Sequence, residues 1–123
     1  MGGVLDERLA AERYCYLTTT GRRTGHPRTV EIWFGLRGGT IYILAGDRAK
    51  ANWVKNAAKT PDVTIKIRDN AFAARARSIA DQTEDALARQ LLYEKYAGDE
   101  WAETPQSLMD WAQTALPLAF DLS

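Results

Sequence analysis

One cysteine and one histidine occur in the 123 residues of this chain. A single thiol permits no intrachain disulfide, which fits a reducing cytoplasm. Cys15 and His26 stand on opposite sides of an arginine-rich stretch. They cannot make up a metal-ligand set, and no third group orients them as a nucleophile pair. Cys15 therefore reads as a core strand residue and His26 as a solvated turn residue. There is no glycine-rich phosphate loop, no dinucleotide fingerprint and no nucleophile elbow. These absences disfavour hydrolysis by a nucleophile of the protein itself. An excess of charge of one sign is also missing. Lys plus Arg number 16 and Asp plus Glu number 16, which argues against a general nucleic-acid binder. No apolar run approaches the roughly 18 residues of a membrane span, and no basic-then-apolar leader is evident. The expectation is a soluble, cytoplasmic chain forming one domain over residues 1–123, without repeats or linkers.

What is present is strong alternation. Residues 14–20 (YCYLTTT) are aromatic and β-branched and predict a strand. Residues 28–34 alternate, with Val30, Ile32 and Phe34 on one face and Thr29, Glu31 and Trp33 on the other. Gly38-Gly39 signals a hairpin returning through residues 40–45. Residues 62–68 and 71–79 predict two further strands, and residues 116–122 a last one, which Pro117 restricts to an edge or to its own start. Helical spacing appears four times: at residues 4–12, from Asp47 as N-cap to Pro61, from a capping box of Asp81 and Glu84 to a C-cap at Gly98, and from Thr104-Pro105 through Ala115. Tight hairpins dominate, so the class is α+β: about six mostly antiparallel strands in a curved sheet or small barrel with flanking helices.

The functional question sits in "TTTGRRTGHPR", residues 18–28. Three arginines around one turn repel each other unless water or an anion compensates them. Gly21 and Gly25 free the backbone to bend, and exposed N–H groups in such bends make anion-binding concavities. Arg22, Arg23 and Arg28 offer planar forks suited to phosphate or carboxylate, and Thr24 adds a hydroxyl. The bland alternative is a solvated turn with its charges splayed into water. Trp33, Tyr42, Trp53 and Tyr14 lie on neighbouring elements and can supply flat walls for a planar ligand, although each alone reads more readily as core. The helix containing Trp53 opens just after a strand, so its N-terminus can also face an anion.

The segments "LTTTGRRTGHPRTVEIWF", "GGTIYILAG" and "ANWVKNAAKTPDVTIKI", together spanning residues 14–96 in outline, resemble the deazaflavin-dependent nitroreductase family of flavin/deazaflavin oxidoreductases. That resemblance implies a split β-barrel of the pyridoxamine-phosphate-oxidase-like kind, commonly dimeric. It implies coenzyme F-420, a deazaflavin with a phosphate and an oligoglutamate tail, and hydride transfer to an electron-poor enone, quinone or nitro compound. FMN is the alternative cofactor, and non-enzymatic carriage of a tetrapyrrole or fatty acid the alternative role. By the same resemblance Arg22, Arg23, Thr24, Gly25 and Arg28 hold the anionic tail. Ala45, Gly46, Asp47 and Arg48 form a loop touching the ring, and Trp53 and Asn56 belong to a W-x-x-N element supporting that loop. This chain departs from the resemblance at Gly46-Asp47, where some relatives have Ser followed by Lys or Gly; an acid beside a reduced, partly anionic ring is unfavourable unless it points away. No catalytic residue is assigned, and no metal is expected; Tyr42 is a candidate proton donor.

Overall fold

Period-two burial in residues 15–20 and 62–67 marks strands with one inner and one outer face, whereas residues 40–45 and 116–122 are buried almost continuously. In the computed structural model, which describes residues 7–97 and 105–123, seven strands form one sheet. They are β1 (Cys15–Thr20), β2 (Pro27–Ile32), β3 (Gly35–Arg37), β4 (Thr40–Ala45), β5 (Asp62–Ile67), β6 (Asn70–Ser78) and β7 (Leu116–Leu122). Their spatial order is β2-β1-β5-β6-β7-β4-β3, and every pairing is antiparallel. The sheet curls into the half-barrel of a split-barrel fold.

The inner face carries Cys15, Leu17, Ile41, Ile43, Val63, Ile65, Ile67, Ala74 and Phe120. Helix α1 (Asn52–Lys59) adds Val54 and Ala57 to that core. On the other face, α2 (Gln82–Tyr96) covers β4 and β7, and α3 (Pro105–Thr114) packs on α2 with Trp111 against the same cluster. Ala88 and Leu92 of α2 pack there with Tyr42, Leu44, Ala115 and Ala119. Removing such apolar surface from water stabilises by about 25 cal/mol per Å², so β4 and β7, apolar on both faces, are the strands a helix covers on the second side.

Several sequence expectations need correction. The run 28–34 is not one strand: β2 ends at Ile32 and β3 begins at Gly35. The interruption has a distant cause. The Phe34 backbone N–H donates to the Tyr96 hydroxyl at 3.1 Å, and its carbonyl accepts from Lys95 Nζ at 2.9 Å. Trp33 stacks on the Tyr96 ring, with centroids 4.0 Å apart. The end of α2 therefore takes the backbone bonds that a neighbouring strand would have taken. The Gly38-Gly39 turn joins β3, not β2, to β4, and β2 pairs with β1. Gly35 lets β3 approach α2 closely: a Cβ there would lie 2.8 Å from Leu91 Cδ2 and 2.9 Å from Leu92 Cδ1, so those side chains would have to shift.

The helix expected from Asp47 is two pieces. A 3₁₀ turn spans Arg48–Lys50, Ala51 is extended, and α1 follows; Asp47 makes no side-chain cap bond. Thr60, ahead of Pro61, leaves the helical region as a residue before proline must. Only half of the capping box forms. Asp81 accepts from the Thr83 N–H at 3.2 Å, whereas Glu84 turns to Arg77 and Tyr42. Pro117 is near the start of β7, as expected, but β7 is interior; its pairing with β6 begins one residue later, at Leu118. The helix at 4–12 is a 3₁₀ segment, Glu7–Ala11, as far as the described residues extend. Gly98 and Thr104 lie outside the described residues.

Candidate functional site

The β1–β2 turn, residues 21–26, is built by its own backbone. The Gly21 N–H donates to the His26 carbonyl and the Gly25 N–H to the Gly21 carbonyl, both at 2.8 Å. Gly25 has φ +76°, a conformation that disfavours a side chain. Thr24 Oγ1 accepts from the His26 N–H at 3.2 Å, which leaves the hydroxyl proton to donate elsewhere. His26 is exposed, and Cys15 is fully buried with its thiol pushed up to about 12 by that burial. Both fit the bland readings.

Helix α1 holds this turn in place. Asn56 Oδ1 accepts twice from Arg22, from the backbone N–H at 3.2 Å and from Nη1 at 3.0 Å. Asn52 Oδ1 accepts from Arg22 Nη2 at 3.4 Å, and Lys59 Nζ donates to the Arg22 carbonyl at 2.8 Å. On its other side Asn56 Nδ2 donates to Thr19 Oγ1 at 3.3 Å. No side chain caps the α1 N-terminus, so its first N–H groups remain available.

Between the turn and the helix opens a cavity of about 570 Å³. Arg22, Arg23, Thr24 and Arg28 line it together with Thr19, Asn52, Trp53 and Asn56. Arg28 enters on the inner face because it pairs with Thr19, two residues from the Leu17–Val30 pair of the core. The Trp53 ring, packed near Phe120 at 6.3 Å, gives the cavity a flat apolar edge. Among the described residues, no carboxylate forms an ion pair with Arg22, Arg23 or Arg28. Among the described residues the guanidiniums of Arg23 and Arg28 make no hydrogen bond to the protein, and both residues are exposed. Three guanidiniums thus line this cavity without a carboxylate partner among the described residues, a donor geometry that suits phosphate or carboxylate oxygens.

The remaining predicted residues lie elsewhere. Ala45 is buried at the end of β4. Gly46, Asp47 and Arg48 line a second cavity of about 600 Å³ with Ala49, Lys50 and Leu116. The two cavities meet the chain on either side of Ala51. Gly46 sits against the Trp111 indole, 3.7 Å from a Cβ position to Cδ1. Arg48 has φ +52° and its guanidinium donates to the Thr114 carbonyl at the end of α3. Asn56 is directed to the arginine turn and not to the 45–48 loop. Of the four aromatics proposed as walls, only Trp53 lines the arginine cavity. Tyr42 is buried under α2, its hydroxyl donating to Glu84 at 2.7 Å and pushed up to about 12, chiefly by burial. It is not placed to deliver a proton. Sequence reasoning missed Asn52 and Lys59. Their spacing with Asn56, at i, i+4 and i+7, is the signal that marks one helix face.

The curled antiparallel sheet, with a cation-lined cavity and an indole at its edge, has the architecture of a split-barrel protein. Residues 1–109 match the F420H(2)-dependent quinone reductase family, and the chain belongs to it. It is a deazaflavin-dependent oxidoreductase whose coenzyme is F-420. Solved structures share the fold. A conserved hypothetical protein from Mycobacterium tuberculosis superposes with TM-score 0.70 at 18% identity, over 97% of this chain and 82% of that one. An F420-H2 dependent reductase superposes with TM-score 0.68 at 19% identity, over 90% and 94%. A third, a domain-swapped dimer, reaches TM-score 0.67 at 22% identity, over 90% and 80%.

Proposed function

We propose that Arg22, Arg23, Thr24 and Arg28 hold the phosphate and oligoglutamate tail of coenzyme F-420, and that the chain reduces an electron-poor quinone, enone or nitro compound. The observation that carries this reading is the set of guanidiniums without carboxylate partners on one cavity wall. The donor set fits the group: forked N–H donors and a hydroxyl match phosphate and carboxylate oxygens. Gly25 allows the turn its bend, and Trp53 offers its ring as a side wall. When bound, the reduced deazaflavin supplies the hydride. The protein's part is to bind and orient. Ala45, Gly46, Asp47 and Arg48 shape the second cavity, where the ring and the acceptor are proposed to meet. Trp111 behind Gly46, and the Arg48 tie to α3, fix that loop. Among the residues lining the two cavities, Asp47 is the one carboxylic acid, and it is exposed. Water is therefore the proposed source of the proton that completes reduction.

We further propose a homodimer in a reducing cytoplasm. The domain-swapped dimer among the structural neighbours and the single buried Cys15 support that reading. No helix among the described residues is long and apolar enough to cross a membrane.

Fluorescence titration of Arg23→Ala/Arg28→Ala with F-420 tests the tail assignment. Loss of two charge-assisted contacts is expected to weaken binding by at least about tenfold. Parent-like affinity overturns it. Turnover of a quinone, enone and nitro panel by the parent then assigns the acceptor class.

A further inference from the structure

The geometry points to Asn56 as a positioning residue that fixes Arg22 without neutralising it, so that the turn presents its full charge to an anion. This inference rests on the tail-binding reading above. Asn56 is 4% exposed and Thr19 2%. Buried polar groups at such positions are held to one geometry, because an unmade bond there is costly. The amide can face only one way. Its Oδ1 receives two N–H donors from Arg22, one from the backbone and one from the guanidinium, and its Nδ2 faces the Thr19 hydroxyl. A flipped amide would set donors against donors. One side chain thus fixes both the start of the turn and the direction of its first guanidinium.

The choice of amide over acid is the functional point. A carboxylate would hold Arg22 more strongly, since a charged acceptor makes a shorter and stronger bond. It would also cancel the positive charge facing the cavity. Asn52, the second acceptor on Arg22, is again an amide. The third contact from α1 comes from a cation, Lys59, to the Arg22 carbonyl. The whole grip on Arg22 is therefore neutral or positive. Arg75, Arg77 and Arg89, by contrast, are each held by carboxylates.

Asn56→Asp separates holding from charge. The two side chains are nearly isosteric, and the new carboxylate can still accept from Arg22 and from the Thr19 hydroxyl. A purely structural role predicts unchanged or improved stability and unchanged binding. The positioning role predicts a melting temperature at or above that of the parent and F-420 affinity weaker by about tenfold. That deficit should shrink as salt is raised, and affinity for a tail-free 5-deazariboflavin should stay the same. Asn56→Ala should lower both the melting temperature and the F-420 affinity. Asn52→Asp, at an exposed position, applies the same charge to the same guanidinium if Asn56→Asp fails to fold; a loss of about threefold is expected there.

If Asn56→Asp, or Asn52→Asp in its place, binds F-420 like the parent while Arg23→Ala/Arg28→Ala binds it weakly, the inference fails and the tail site stands. If the double arginine variant also binds normally, the tail site itself fails. Equal loss of F-420 and of the tail-free ring by Asn56→Asp overturns the charge argument, because the effect then lies outside the tail.

Discussion

Tyr96 shows how one side chain can decide where a strand ends. It is fully buried, and its hydroxyl lies 3.1 Å from the Phe34 N–H, 2.9 Å from the Arg13 carbonyl and 3.2 Å from the Phe34 carbonyl. The hydroxyl can accept the N–H and give its own proton to one carbonyl. Three backbone groups from two segments thus converge on one oxygen. Tyr96→Phe keeps the ring and its stack on Trp33 but leaves buried polar groups unmatched. The expected cost is about 2 kcal/mol, read as a lower urea midpoint with unchanged slope. A cost near zero would mean that the interruption at Phe34 is held by the Trp33 stack and Lys95 alone. Lys95 is itself a compromise: it bonds the Phe34 carbonyl and lies 3.6 Å from the Phe34 ring centroid, and burial pushes its ammonium down to about 8.

Between elements, one polar junction joins β6, β7, β4 and α2. Arg77 reaches both Glu84 oxygens at 2.7 Å and Asp121 at 2.6 Å, while Tyr42 donates to Glu84 and Thr40 to Asp121. The Arg77 contact first, and the Tyr42 hydroxyl second, hold the Glu84 carboxyl down at about 2. Arg77 likewise lowers Asp121. A carboxylate depressed on folding contributes stability that is complete above its unfolded value, near 4.5, and is lost as pH falls toward 2. Urea midpoints of the parent should therefore drop steeply between those pH values. Glu84→Gln should lower the midpoint at neutral pH and flatten the acid limb; an acid limb identical to the parent's would remove this junction from the account. The same scale shows what the sequence makes legible. Strands β1 and β5 are written in local alternation, which one sheet face satisfies; β4 is written as a continuous apolar run after a Gly-Gly turn, and the Ala88–Leu92 stripe as helical spacing. The split of 28–34 into two strands is not local, because its cause lies more than sixty residues away on α2. The Glu84 half of a capping box fails for a similar reason: Arg77, a full charge, outbids a backbone N–H for the carboxylate.

Across the whole molecule a formal charge of zero conceals a separation. Carboxylates neutralise arginines on the outer face of β6 and on α2, whereas the guanidiniums of the turn at 21–28 have no carboxylate partner among the described residues. That much of the site was legible, because three arginines without an acid can be counted along the chain. The grip of α1 was not, since the 52, 56, 59 spacing marks a face without saying what it meets. An unpaired cluster costs folding energy through self-repulsion and returns it when an anion binds. Ligand bound only to the folded state stabilises by about 2.7 kcal/mol at a hundred times its dissociation constant. For a chain of this size that corresponds to a rise in Tm of roughly 10 °C. F-420 at that concentration should produce this rise in the parent at low salt, and a smaller one as ionic strength screens the turn. In Arg23→Ala/Arg28→Ala the same coenzyme concentration should raise Tm far less, while the ligand-free Tm should match or exceed the parent's because the repulsion is gone. A ligand-free variant that melts well below the parent would show that these arginines serve the fold, and the low-salt rise could then no longer be credited to their charge.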